Sequence, residues 1–173
     1  QAEGGSFGYV RAAGHVGGPI GSATGNIGLS YTDNGMPVEG STLKSTALDG
    51  ALGLPQIAGT AINLTGRYSD STATSFPDSS GGPRLSVLRT LDHRNIQEGV
   101  LGAHALRGIA GWWNMALDYG FYDRSSDAVS PGVAPSAQTP TGIPANGDKA
   151  RFTRHEVTWT NRLTPQPGLE AAL

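Results

Sequence analysis

The chain contains no cysteine among its 173 residues. This absence excludes a disulfide framework, a thiolate metal site and a cysteine nucleophile. Charge is also scarce, since 15% of the residues are charged and the formal net charge is −2, whereas an average domain has about 25% charged residues. The sequence has no basic stripe of the kind that binds phosphate backbones. We therefore expect no nucleic-acid partner.

Long apolar runs are missing as well. The longest stretch without Asp, Glu, Lys or Arg, Ala12–Thr32, is interrupted by several glycines, Pro19 and Asn26. A membrane-spanning helix needs about 20 predominantly apolar residues, so any membrane contact must be made by strands. Glycine and proline are plentiful instead, with 26 and 11 residues. Both residues destabilise helix interiors, and the composition therefore argues against a helical domain.

Apolar and polar residues alternate along much of the chain, which is typical of strands with one apolar and one polar face. The alternation is clear in four segments: Ala23–Asp33, Ala58–Ser69, Trp112–Arg124 and Arg154–Thr160. It is weaker in three others, to which the sequence assigns no facing: Glu3–Val16, Ser41–Leu54 and Arg94–Leu106. A further strand is predicted to begin at Leu169. The strands are long compared with the usual 5–6 residues of globular proteins.

The predicted connections alternate between short and long. Short turns are predicted at 17–20, 55–57, 107–111 and 164–168, and long loops at 33–40, 70–93 and 125–150. In an up-and-down meander, all short turns then lie at one rim and all long loops at the other, as in outer-membrane barrels. The sequence thus predicts an all-β, antiparallel up-and-down meander of about eight long strands over residues 1–173.

An apolar strand face has two explanations: the interior of a soluble sandwich or barrel, or the lipid-facing side of a membrane barrel. The aromatic residues favour the membrane, because they fall near the strand ends, where a barrel has its aromatic girdles. The girdle candidates are Tyr31, Tyr68, Trp113, Tyr119, Phe121 and Trp159. The opposite parity carries charged and amide groups of mixed sign, which are expected to face a lumen. The lumen-facing candidates are Asn63, Arg67, Asn114, Asp118, Arg154 and Glu156.

Three segments carry a resemblance to a known family. They are Thr65-Gly-Arg-Tyr-Ser-Asp-Ser71, Trp113-Asn-Met-Ala-Leu-Asp-Tyr-Gly-Phe-Tyr-Asp-Arg124 and Arg151-Phe-Thr-Arg-His-Glu-Val-Thr-Trp-Thr-Asn-Arg-Leu163, which leads through a turn into 169–173. This succession resembles the first part of the β-barrel of TonB-dependent outer-membrane receptors, particularly those similar to the vitamin B12 transporter. The resemblance implies that residues 1–173 are part of a transmembrane β-barrel in the bacterial outer membrane, without the family's plug and its remaining strands.

The resemblance also implies a function without covalent chemistry: energy-coupled uptake of a scarce ligand such as cobalamin or a siderophore iron chelate. The implied partners are outer-membrane lipid, a plug domain and the TonB complex. Residues near the long loops are the expected ligand contacts, namely Tyr68, Asp70, Phe76, Asp78, Tyr122 and Asp123. Some cobalamin transporters bind calcium in such loops, and carboxylates suit this cation. Asp70 and Asp78 are the calcium candidates, and no other cofactor is expected.

Two other interpretations remain open. The chain is alternatively a complete small eight-stranded outer-membrane barrel with a structural or binding role, or a soluble all-β binding module. Catalysis has little support, because the G-x-S-x-G match at Gly4–Gly8 runs into a strand and lacks the helix of a nucleophile elbow. The four histidines show no metal-ligand spacing.

Overall fold

The computed structural model describes residues 1–166 and 169–173. They form one antiparallel sheet in which every strand pairs with its neighbours in chain order. The strands are β1 (Ala2–Gly4), β2 (Val10–Ile20), β3 (Ala23–Asp33), β4 (Thr42–Ile57), β5 (Thr60–Ser75), β6 (Asp92–Ala110), β7 (Trp113–Ser130), β8 (Asn146–Gln166) and β9 (Leu169–Ala172). No helix in these two ranges is long and apolar enough to span a membrane.

The all-β antiparallel meander is confirmed, with nine strands in place of about eight. The predicted first strand, Glu3–Val16, is wrong as a single element, because a 3-10 turn at Ser6–Gly8 separates β1 from β2. Phe7 and Gly8 both have positive φ in this turn, at 61° and 83°, which breaks the extended backbone. The sheet is open, since among the described strands β1 and β9 form its two edges without pairing to each other.

The short turns are tighter than predicted. The strands continue through 17–20, 55–57 and most of 107–111, and the turns are the pairs 21–22, 58–59 and 111–112. Glycine and proline misled the prediction, because both are tolerated at bulges and sheet edges. Pro55 lies in the irregularity between Leu54 and Ile57. The predicted turn 164–168 is partly strand, since β8 extends to Gln166, and Pro167 and Gly168 lie outside the described residues.

The long loops are 34–41, 76–91 and 131–145, and the second and third are shorter than predicted. In these two, strand residues replace predicted loop residues: β5 runs to Ser75, and β7 and β8 extend to Ser130 and back to Asn146. These extensions carry polar residues on both faces, so no apolar alternation marks them in the sequence. They project the β5–β8 hairpins beyond the rest of the sheet on the long-loop side.

The turn between β4 and β5 gives a stability prediction. Both of its residues have positive φ, 50° at Ala58 and 77° at Gly59, as a type I′ hairpin turn requires. Because this conformation costs a residue with a β-carbon about 1–2 kcal/mol and asparagine tolerates it better, Ala58→Asn should raise the free energy of unfolding by roughly 1 kcal/mol. Urea unfolding in detergent, followed by tryptophan fluorescence, measures it. The control Ala61→Asn, inside β5, should give no gain; an equal gain would refute this account.

Cross-strand register divides the residues between two faces, because directly opposed residues share a face. We name the side that carries Leu29, Leu48 and Leu117 the apolar face, and the other side the polar face. The register also resolves the facing that the sequence left open: even-numbered residues of β2 and β4 and odd-numbered residues of β6 lie on the apolar face. The apolar face includes Val16, Ile27, Leu29, Leu48, Leu52, Ile62, Leu64, Leu101, Leu117 and Val157.

No second layer covers either face in the described part of the chain. Val157 and Trp159 are 66% and 63% exposed, and several leucines of the apolar face are also exposed. The buried apolar side chains are few: Ala47, Phe76 and Val133. Two of these three lie in the long loops rather than in the sheet. The fold is therefore a single sheet with an uncovered apolar surface and a small packed core among its loops.

Candidate functional site

An aromatic residue occupies the same place on three strands that run from the short turns towards the long loops. Tyr31, Tyr68 and Phe121 each lie eight residues beyond the first residue of β3, β5 and β7, respectively. All three are on the apolar face. An aspartate follows two residues later on the same face in each case, at Asp33, Asp70 and Asp123.

These aromatic residues are displaced regularly from one hairpin to the next. The register takes Tyr31 through Thr46 to Asp70, two residues beyond Tyr68. It takes Tyr68 through Gly99 to Asp123, again two residues beyond Phe121. The displacement is one residue per strand. With a rise of about 3.3 Å per residue and a strand spacing of about 4.8 Å, a level row of aromatics requires a strand tilt of about 35°.

This tilt defines a band of constant height on the apolar face. Eight residues along a strand tilted by about 35° span roughly 22 Å of height, and outer-membrane barrels have an apolar band about 25 Å tall and tilts of about 35–45°. The short-turn side of the band has Trp113, stacked on Trp112 at 6.2 Å between ring centroids. Trp159 lies opposite Leu117, and Tyr119 one alternate position from Phe121. All six girdle candidates therefore share the apolar face.

Charged groups on the apolar face lie mostly beyond the aromatic row, on the long-loop side. Each of the three aspartates there is held by a residue of the next strand. Lys44 Nζ lies 3.3 Å from Asp33 Oδ2, and Gln97 Nε2 donates to Asp70 Oδ2 at 2.9 Å. Within the band, the described residues of this face carry one Lys, Arg, Asp or Glu, namely Arg107 opposite Met115 near a short turn.

Asp123 has the most extensive partners of the three. Arg151 Nε and Nη2 donate to its two carboxylate oxygens at 3.0 and 3.1 Å, and Thr153 Oγ1 donates at 2.7 Å. The hydrogen bonds from Arg151 lower the pKa of Asp123 and raise that of Arg151. Both groups lie past the aromatic row. The pair is therefore ionised at neutral pH and fixes the Arg151 guanidinium against β7.

The six lumen-facing candidates all lie on the polar face, as their strand parities require. They are distributed over β5, β7 and β8 and do not form one cluster. Asp118 Oδ1 lies 2.6 Å from His104 Nδ1, and Arg154 Nη2 donates to Glu156 Oε2 at 2.7 Å. Glycine, alanine, serine and threonine occupy most of the positions between these groups. The polar face therefore carries charged groups of both signs, separated by small residues.

The ligand-contact candidates fall into three separate environments. Tyr68, Asp70 and Asp123 lie on the apolar face at or just beyond the aromatic row. Tyr122 lies on the polar face, because it has the opposite parity to Asp123, and its hydroxyl donates to Glu98 Oε2 at 3.0 Å. Phe76 and Asp78 belong to the 76–91 loop, where Asp78 begins a 3-10 turn. The contacts described do not gather these six residues around one ligand.

Phe76 is a core residue of a packed loop unit, which we define as loops 34–41, 76–91 and 131–145. Its side chain is 8% exposed, and the Arg89 guanidinium lies 4.7 Å from its ring centroid. Arg89 also pairs with Glu39 of loop 34–41. Thr139 Oγ1 donates to the Ser79 carbonyl at 3.0 Å and so joins loop 131–145 to loop 76–91.

Sequence reasoning missed an aromatic pair on the polar face. The Tyr122 and Phe152 rings lie 5.9 Å apart, close to Glu98 and to Arg124, which the register places opposite Phe152. Opposed residues of β7 and β8 are either both even-numbered or both odd-numbered. Tyr122 and Phe152 therefore share a face, which follows once the pairing is known. The pairing itself was not readable from either strand alone.

The calcium assignment to Asp70 and Asp78 stays a prediction. Within residues 1–166 and 169–173, no three His, Asp or Glu side chains are grouped closely enough to hold a metal ion. Comparison with family models, curated proteins and solved structures gives no match to this chain.

Proposed function

We propose that the chain forms part of the wall of a transmembrane β-barrel in the bacterial outer membrane, with the apolar face towards lipid. The observation that carries this proposal is the level apolar band. Three hairpins repeat the same distance from short turn to aromatic residue, and their stagger corresponds to the tilt of a barrel strand. A single-layer sheet in a soluble protein would not leave such a band exposed to water, because exposed apolar patches of this extent mark interaction surfaces.

We further propose that this wall belongs to a TonB-dependent receptor that takes up a scarce ligand such as cobalamin or a siderophore iron chelate. The resemblance of three segments supports it, together with a polar face suited to hydrogen bonding with a plug domain. The packed loop unit supports it as well, because loops that are already folded lose less conformational entropy when they bind a ligand. Coupling to the TonB complex would act on the plug and not on these strands.

Cysteine scanning along β7 tests the lipid-facing wall, and the cysteine-free chain needs no background substitution. Single cysteines at Met115, Leu117 and Tyr119 should react with a lipid-soluble thiol probe in vesicles. Cysteines at Asn114, Ala116 and Asp118 should react with a water-soluble probe instead. A period of two in the opposite sense, or water access to both parities, would contradict the proposal and favour a soluble module.

Uptake is tested separately in bacterial cells that express the full receptor gene containing this chain. Labelled cobalamin and a labelled iron chelate should accumulate only when the TonB complex is intact. Deleting loop 76–91 should remove accumulation while the receptor still reaches the outer membrane. Accumulation that is independent of TonB would refute the receptor assignment and leave the membrane wall standing.

A closed eight-stranded barrel is a second candidate, and one observation favours it. β1 and β9 run in the same direction and cover different parts of the two sheet edges: β1 pairs with Val10–Ala12 of β2, and β9 with Arg162–Gln166 of β8. If closure keeps the stagger of one residue per strand, the registers place Leu173 next to Gln1 along a single eighth strand. Leu173 would then lie opposite Gly14, and Ala171 opposite Val16.

A disulfide distinguishes the two candidates. The double variant Val16→Cys, Ala171→Cys should form an intramolecular disulfide in detergent if the chain closes on itself, because opposed positions in antiparallel strands have a spacing close to that of a disulfide. It should stay reduced if other strands separate these edges. The control pair Ile27→Cys, Gly50→Cys, already opposed in the structure, should oxidise in both cases.

A further inference from the structure

The apolar face of β8 changes its chemistry in order along the strand. Alternate residues from the long-loop side inwards are Arg151, Thr153, His155, Val157 and Trp159. A cation and a hydroxyl lie beyond the aromatic row, an imidazole lies opposite Phe121 in the register, and two apolar side chains lie within the band. A phosphate-bearing acyl lipid has the same order of groups, from an anionic headgroup through a polar linkage to a hydrocarbon chain.

Arg151 is positioned to bind an anion while it remains paired. Two of the five N–H groups of its guanidinium serve Asp123, which leaves three donors for another ligand. The Arg151 side chain is 73% exposed. Lys149 lies one alternate position further out, paired with Asp127 at 2.8 Å and even more exposed. Both cations therefore point the same way from neighbouring positions of one face.

The part of this face that lies nearer the short turns is suited to the polar linkage and the acyl chain of a lipid. His155 Nδ1 lies 2.9 Å from the Tyr119 hydroxyl, and its ring lies 5.0 Å from the Phe121 ring. Tyrosine is enriched at the boundary between headgroups and hydrocarbon. Val157 and Trp159 follow, and both side chains are largely exposed. A further strand paired to the edge of β8 would use its backbone and would leave this face open.

We propose that a phosphate-bearing acyl lipid of the membrane binds along β8, with its phosphate on Arg151 and Lys149 and its chain over Val157 and Trp159. This inference rests on the proposed membrane wall. The ligand is a lipid and not free phosphate, because the two cations lie at the end of a row of apolar side chains and not in an enclosed anion pocket. The N–H donors of Arg151 and Lys149 that are not used by Asp123 and Asp127 are available to the phosphate without breaking either ion pair.

The fluorescence of Trp159 reports on the acyl chain of the bound lipid. The full chain with Trp112→Phe and Trp113→Phe is placed in phosphatidylcholine vesicles that contain an equal fraction of brominated phosphatidic acid or brominated phosphatidylcholine. Bromine quenches tryptophan on contact. Phosphatidic acid should quench Trp159 more effectively by about fivefold for each basic side chain beside the anionic lipid, or about 25-fold for Arg151 and Lys149 together. Arg151→Gln or Lys149→Gln alone should reduce the preference to about fivefold, and the double variant should remove it.

The matched control is Arg154→Gln, which removes a cation from the polar face of the same strand and should keep the preference. Inorganic phosphate added at the same concentration should not compete, whereas it would compete if a free anion were the ligand, and this would overturn the lipid assignment. Equal quenching by both brominated lipids would overturn the site but leave the membrane wall intact. Quenching by aqueous iodide and by neither lipid would overturn both proposals.

Discussion

Leu117→Lys is expected to prevent stable insertion of the sheet into a bilayer. Leu117 lies within the apolar band, between Ala105 on β6 and Trp159 on β8, and its side chain is exposed. A lysine at the middle of a barrel's lipid-facing surface costs about 2–4 kcal/mol. In the described part of the sheet, no other element covers this face. A lysine here would therefore lose its hydration in the bilayer without gaining a polar protein partner.

The neighbouring residue provides the control. Ala116 lies on the polar face of the same strand, so Ala116→Lys should fold and insert as the unsubstituted chain does. Refolding into vesicles, measured by protection from protease and by the shift in gel mobility on heating, compares the two variants. If Leu117→Lys inserts normally and Ala116→Lys does not, the faces are assigned the wrong way round. If both remain in solution without detergent, the soluble module is the correct interpretation.

The sequence alone predicted the strands and much of the facing, because alternation is a local property. Ala23–Asp33 was predicted with the bounds that the structure has. The facing of β6 was not predicted, because Gly99, Ala103 and Ala105 lie on one face of the strand and Val100 and Leu106 lie on the other. Neither set is clearly the more apolar, and only pairing with the strongly alternating β5 and β7 fixes which side faces which.

The stagger of the hairpins depends on pairing, yet its signal was present in the sequence. Each of three strands contains an aromatic residue followed two positions later by aspartate, as in Tyr31-Thr-Asp33. Such a repeat marks the point where each strand leaves the apolar band, and comparing the three gives equal distances from the short turns. The cross-strand partners of those aspartates, such as Arg151 on β8, come from the next strand and cannot be read from the repeat.

The burial of Phe76 was beyond local pattern, because it depends on three loops that are distant in sequence. Gly40 shows how closely they approach: its φ is 77°, and a β-carbon there would lie 2.7 Å from Leu91 and 2.8 Å from the Phe76 ring. Phe76 is among the ligand contacts that the resemblance implies, and that role stays a prediction. In the structure it is the residue on which loops 34–41 and 76–91 pack.

Phe76→Ala should therefore loosen the loop unit as a whole. Truncating a buried phenylalanine costs about 3–5 kcal/mol, and here the loss also removes the ring beneath the Arg89 guanidinium. Because Phe76 lies in a loop and β5 and β6 are held by their own backbone pairing, the strands should keep their structure. Amide hydrogen exchange should show protection lost at the backbone of 34–41 and 76–91 and retained in β5 and β6. Arg89→Ala should give a smaller loss in the same loops.

Phe7→Ala is the matched control, since Phe7 is 69% exposed and its contacts to loop 34–41 are made by its backbone, through the bond from Met36 N–H to the Phe7 carbonyl. This variant should leave exchange in the loop unit unchanged. Unchanged protection in Phe76→Ala as well would show that the three loops are ordered independently. If the chain is part of a receptor wall, as proposed, Phe76→Ala should remove ligand capture while the sheet still inserts, because the loop core and the apolar band share no side chain.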